Sequence, residues 1–111
     1  MAASTTLLTE DELGPILSLL PEWTRSSAGT SLSRTIEFAD FAAAFSFLAA
    51  VALHAQRVNH HPDFSQSWAT ITFTLCTHAV GGLTTGDTDL ATVIDRLIDA
   101  HGGDEPAEAA H

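Results

Sequence analysis

Lysine is absent from this sequence, and the 4 basic residues, all arginine, face 14 acidic ones, a net charge of −10 at pH 7. So few cations cannot neutralise a phosphate backbone, which argues against a nucleic-acid partner. The single cysteine, Cys76, cannot form an intramolecular disulfide and sits in an apolar stretch that suits a small buried thiol. Nothing resembles a secretory leader, because Glu10, Asp11 and Glu12 come early. The longest apolar run, residues 41–53, falls short of the roughly 20 residues that span a bilayer. A cytoplasmic protein without a membrane partner is expected. HExxH, CxxC, GxSxG and GxGxxG are all missing, so zinc hydrolysis, serine catalysis and dinucleotide binding have no motif to rest on.

What is present is enough chain for one small core. Residues 1–8 read as a flexible extension, 9–103 as a single domain, and the acidic 104–111 as a disordered tail. Thr9 and Glu12 form a predicted capping box, followed by Leu13, Ile16, Leu17 and Leu20 at helical spacing up to Pro21. Residues 23–26 and 31–37 flank a Gly29-containing turn and predict a β-hairpin. From about Phe38 to Asn59 the chain holds no Gly or Pro, and it predicts the longest helix. At about 100° per residue, Phe38, Phe41, Phe45, Leu48, Ala49 and Ala52 share one face, expected to cover a sheet. Ala44, Phe47, Val51, His54 and Val58 form a second apolar face, expected to join subunits as a homodimer or homotetramer.

Past Pro62, residues 63–67 are followed by Ile71, Phe73 and Leu75 alternating with Thr70, Thr72, Thr74 and Cys76, the clearest strand in the chain. Gly81-Gly82 predicts a turn. A last helix carries Leu90, Val93, Ile94, Leu97 and Ile98, with Thr85 or Asp87 as its cap and Gly102-Gly103 as its end. The order α-β-β-α-β-β-α predicts an α+β fold, a four-stranded antiparallel sheet covered by helices.

Candidate chemistry gathers around Asn59-His60-His61-Pro62, where a proline stops the long helix beside two imidazoles. Histidine exchanges protons near neutral pH, so His60, His61 and the downstream His78 are candidates for acid–base work. The pair can equally be a polar helix terminus complementing the dipole. Period two places His78 on the threonine side of its strand, so either the strand bends before it or a site opens on that face. Neither the pair nor Cys76 has metal-ligand spacing, and no metal is expected.

The spacing as a whole resembles the pterin-4a-carbinolamine dehydratases. Gln56-Arg57-Val58-Asn59-His60-His61-Pro62, five residues, Trp68, nine residues, His78, eight residues and Asp87 follow that family's signature, and residues 77–84 are similar to its strand-end segment. The resemblance implies dehydration of 4a-hydroxytetrahydropterin to quinonoid dihydropterin, in support of tetrahydropterin recycling. No cofactor is implied, since the pterin is the substrate. By position, His60 and His78 match the family's acid–base histidines and His61 the one that binds and orients. Asn59 and Trp68 become supporting residues. Asp87 matches the signature aspartate, and a helix cap explains it equally well. Two departures stand out. Gln56 replaces an ionisable residue one turn before His60, which implies weaker turnover or a lower pH optimum, and Gly86 lies where some members carry Arg. The alternative is a non-catalytic dimerisation or assembly cofactor on the same fold.

Overall fold

A computed structural model of the chain describes residues 6–106. The first helix, α1 (Glu10–Ser18), opens on the expected capping box: the Thr9 side chain accepts from Glu12 N–H at 3.2 Å, and Glu12 Oε1 accepts from Thr9 N–H at 2.8 Å. Its inner face, Leu13 with Ile16 and Leu17, packs into the core, and Leu20 follows from the turn beyond. Arg25 holds Glu10 through both guanidinium nitrogens, at 2.8 and 2.7 Å, and ties this helix to the hairpin. That hairpin joins β1 (Thr24–Arg25) to β2 (Leu32–Glu37). At its tip the Ser26 hydroxyl accepts from Thr30 and Ser31 N–H, and Gly29 supplies the positive φ of 79° that the turn requires.

A second hairpin, β3 (Asp63–Ser67) and β4 (Thr70–Leu75), completes an antiparallel sheet of order β1-β2-β4-β3. Ile71, Phe73 and Leu75 are buried beneath the helices, while Thr70, Thr72 and Thr74 line the opposite face. There Thr35 and Thr72 meet at 3.0 Å between hydroxyl oxygens. Arg34 is the polar exception on the helix side. It binds Asp95 and Glu105, each at 2.6 Å, and Asp95 also accepts from Trp23 Nε1 at 2.9 Å. Burial works against the Arg34 charge, but Glu105 and Asp95 outweigh it and hold its pKa above the ordinary value.

The long helix α2 (Phe41–Val58) starts later than the apolar run suggests, because Asp40 caps it and accepts from Ala43 N–H at 2.8 Å. Phe38 lies before the cap, and its amide donates to Ala69 O at 2.9 Å. The two faces of α2 are largely the reverse of the expectation: of the face expected to meet the sheet, Phe38 and Leu48 are buried, but Phe41, Phe45, Ala49 and Ala52 are exposed. Ala44, Phe47, Leu48, Val51 and Ala55 are buried, with Phe47 and Val51 0% and 1% exposed, whereas Phe41 and Phe45 are about half exposed and Leu53 72% exposed. Phe47 and Val51 therefore cannot form a subunit contact. Both faces are apolar, so hydrophobicity does not choose between them. By composition alone α2 is long and apolar enough to cross a bilayer, yet it lies along the sheet on this buried stripe.

The last helix, α3 (Thr85–His101), packs against α2 and closes on Gly102, at φ 75°. A Cβ at Gly103 would lie 2.7 Å from the Phe38 ring. The chain then pairs Asp104 with Glu37 through two backbone bonds of 2.9 Å. The expected tail thus begins as ordered structure at Asp104 and Glu105, and Leu8 of the expected extension likewise donates to Leu83 O at 2.9 Å. The rest of those expectations, residues 1–5 and 107–111, lies outside the described residues. His101, which its position at a helix end would leave in water, instead packs edge-on against Phe47 and bonds Leu97 O through Nδ1.

Candidate active site

Asn59 sets the geometry at the end of α2. It adopts the left-handed conformation, φ 54° and ψ 44°, which asparagine tolerates better than most residues. Its amide donates to Gln56 O at 3.3 Å, and His60 N–H reaches back to Ala55 O at 3.1 Å, the paired bonds of a Schellman turn. Asn59 thus acts through its backbone. The turn sends His60 inward and leaves His61 outside.

His60 is buried, with Nε2 2.7 Å from Asp87 Oδ1. Asp87 is 0% exposed, and its other oxygen accepts from Thr84 N–H at 3.0 Å and from the Thr77 hydroxyl at 2.8 Å. The cap of α3 is Thr84 rather than Thr85 or Asp87, and Asp87 is the N3 member of the capping box. Asp87 thus serves the capping box with one oxygen and faces His60 with the other. The Thr84-Thr85-Gly86-Asp87 spacing, with an acid three residues after a threonine, was the signal for this box. An ionised Asp87 has only acceptors, so His60 Nε2 must donate, and a neutral ring then carries its lone pair on Nδ1. Gly86 leaves room for that ring, since a Cβ there would lie 2.9 Å from both Nδ1 and Cε1.

His61 is exposed, and its Nε2 lies 3.1 Å from Gln56 Oε1. Gln56 thus partners His61, not His60, because the left-handed turn carries the first imidazole away from the helix axis. His61, Gln56 and Pro62 line a cleft of about 240 Å³, walled on its apolar side by Ala52, Ala55 and Phe64. The strand question resolves toward the threonine face. β4 ends at Leu75, the alternation continues through the buried Thr77, and His78, which opens a short 3₁₀ turn (His78–Val80), lies on the side of Asp63, whose register partner is Thr74. His78 is largely exposed, with Nε2 3.1 Å from Asp63 Oδ2, a partner that spacing did not reveal.

Trp68 is not brought to this cluster. It occupies the tight β3–β4 turn at φ 56°, is 69% exposed, and lies a whole strand from Asp63, about 16 Å at 3.3 Å per residue. Among the described residues, no three His, Cys, Asp or Glu side chains converge as a ligand set.

The profile of the family described as Pterin 4 alpha carbinolamine dehydratase matches residues 6–97. The chain belongs to that family. Among dehydratase-family relatives, a protein of Nocardia farcinica with the provisional name pterin-4-alpha-carbinolamine dehydratase is 47% identical over 94 residues, covering 85% of this chain and 97% of its own. One of the same provisional name from Rhodospirillum rubrum is 50% identical over 78 residues, 70% of this chain and 81% of its own. The crystal structure of a transcriptional coactivator/pterin dehydratase from Brucella melitensis superposes with a TM-score of 0.78 at 32% identity, over 83% of this chain and 98% of that one. A pterin dehydratase-like protein described as a RuBisCO assembly factor in the alpha-carboxysome shares the fold, with a TM-score of 0.60 at 19% identity over 68% and 88% of the two chains.

The Cys76 thiol is not activated by its surroundings. Burial, reinforced by the Asp87 and Asp63 carboxylates, pushes its thiol pKa up. His54, on α2, is half-buried beside Arg57, and burial with that positive charge holds it below the ordinary histidine value.

Proposed function

We propose that this member of the pterin dehydratase family removes water from 4a-hydroxytetrahydropterin by histidine acid–base catalysis. In that step the C4a–O bond breaks, the hydroxyl leaves as water with a proton from an acid, and a base takes the N5 proton as the C4a–N5 double bond forms. The observation carrying the reading is that two carboxylates, Asp87 and Asp63, each hold an imidazole, while a third imidazole, His61, lines a cleft with Gln56 and Pro62. In this assignment His60, donating to Asp87 through Nε2, offers Nδ1 as the base, and His78 is the acid. His61, with Gln56, binds and orients the ring in the cleft. The test is a carbinolamine dehydration assay on the purified protein. His78→Ala should lower kcat by about 10²–10⁴-fold, as removal of a general acid does, and wild-type turnover by that variant would rule the assignment out.

Gln56→Glu should move the pH–rate profile to higher pH by less than about one unit, since a carboxylate favours the protonated ring but this site is open to solvent. An unshifted profile would show that position 56 does not act on catalysis through His61.

The coactivator and assembly-factor descriptions of the two solved neighbours support a second reading, a binding role. In either reading we propose that copies of this chain associate through the outer face of α2, where Phe41 and Phe45 stack at 6.2 Å and Leu53, about two turns further along, is also exposed. Light scattering should give a multiple of the 11.7 kDa chain mass. Phe41→Ser with Phe45→Ser should lower that mass, and a wild-type monomer at micromolar concentration would sink the idea.

A further inference from the structure

We infer that Thr77 is a positioning residue that holds the surroundings of His60 and of His78 in one arrangement, a role that rests on the dehydratase reading. Its side chain belongs to the first imidazole. The hydroxyl lies 2.8 Å from Asp87 Oδ2 and 2.8 Å from Thr84 Oγ1. Hydroxyl groups carry one proton each, and the direction of this chain follows from counting them. Asp87, ionised, can only accept, so the Thr77 proton goes to Asp87. The Thr84 proton then goes to Thr77 Oγ1, and the Thr84 oxygen keeps lone pairs for Gly86 N–H at 3.2 Å. Every hydroxyl proton in this buried cluster is thereby committed, running from Thr84 through Thr77 to Asp87, which also receives the His60 proton.

The backbone of Thr77 belongs to the second imidazole. Its amide donates to Gly82 O at 2.9 Å, and its carbonyl accepts from Val80 and Gly81 N–H at 3.1 and 3.0 Å. Those bonds close the short turn that begins with His78. One residue thus satisfies the carboxylate behind His60 with its side chain and braces the turn presenting His78 with its main chain.

The test compares Thr77→Val, which keeps the shape and removes the hydroxyl, with Thr77→Ser, which restores it. Thr77→Val should lower kcat about ten-fold with KM unchanged within about two-fold, the loss expected when a buried acceptor is left one donor short. It should also shift the His60 ring ¹⁵N signals in substrate-free protein, and Thr77→Ser should return both readouts toward wild type. Unmoved His60 signals, or wild-type kcat in Thr77→Val, would overturn the role. If wild-type protein fails to dehydrate carbinolamine, the dehydratase reading falls, and the positioning stands or falls on the ring signals alone. Should Thr77→Val not fold, the wild-type protein still decides, because the Thr77 hydroxyl proton must appear as a slowly exchanging resonance, and its absence overturns the proposal.

Discussion

Asp87→Ala should cost this protein roughly 3 kcal/mol of stability or more, since it strips the acceptor from several buried donors at about 1–3 kcal/mol each, and should abolish dehydration. Asp87 is completely buried and is the acceptor for His60 Nε2, the Thr77 hydroxyl and Thr84 N–H together. Alanine leaves three donors with no acceptor where water does not reach, each worth about 1–3 kcal/mol and not additive with the others. It also removes the N3 arm of the α3 capping box. Asp87→Asn should fall between, because an amide offers one oxygen where the carboxylate offers two. Urea unfolding and the dehydration assay check both variants. A loss of stability under about 1 kcal/mol for Asp87→Ala would mean that the donors find other partners and that His60 is not held as described.

Phe47→Ala should be of similar size, about 3–5 kcal/mol, and should leave the oligomeric mass unchanged. The Phe47 ring is fully buried, 4.8 Å from Phe38 and 5.9 Å from both Phe73 and His101, so its removal opens a cavity bounded by β4, α3 and the segment leading into α2. Against a total stability of about 5–15 kcal/mol, that change removes much of the folding margin. The contrast with the outer face is the diagnostic: Phe41 and Phe45 variants should change assembly and spare the melt, and Phe47→Ala should do the opposite. Denaturant midpoints measured beside light scattering separate the two. A Phe47→Ala protein that unfolds at the wild-type midpoint would mean that the ring is not in the core.

Most of the element order could be read from the chain, because its signals are local. The Thr9–Glu12 box, the Gly29 turn, the alternation from Thr70 to Leu75 and the Gly102 stop each depend on a few neighbouring residues. The orientation of α2 could not, since it depends on which of two apolar stripes meets a sheet formed elsewhere in the sequence. The site divides the same way. His60, His61, His78 and Asp87 were visible through their spacing, but their partners depend on how distant segments meet. Asp63 reaches His78 only because β3 lies against β4, and Thr77 reaches Asp87 only because β4 ends two residues before it. Trp68 shows the converse error: the resemblance to the family's signature put it beside the histidines, and a tight turn with a left-handed residue places it at the other end of the hairpin.

The left-handed Asn59 also makes two chemically identical neighbours unequal. His60 and His61 are adjacent in sequence, yet one faces a sealed carboxylate and the other opens to solvent and an amide. Their surroundings are therefore set by the turn at Asn59, not by residue type. Inserting or deleting a single residue in α2 before Asn59 would swing that turn and both imidazoles about 100° around the helix axis while leaving the composition of the site intact. The length of α2 is thus as much a part of the site as the side chains that follow it.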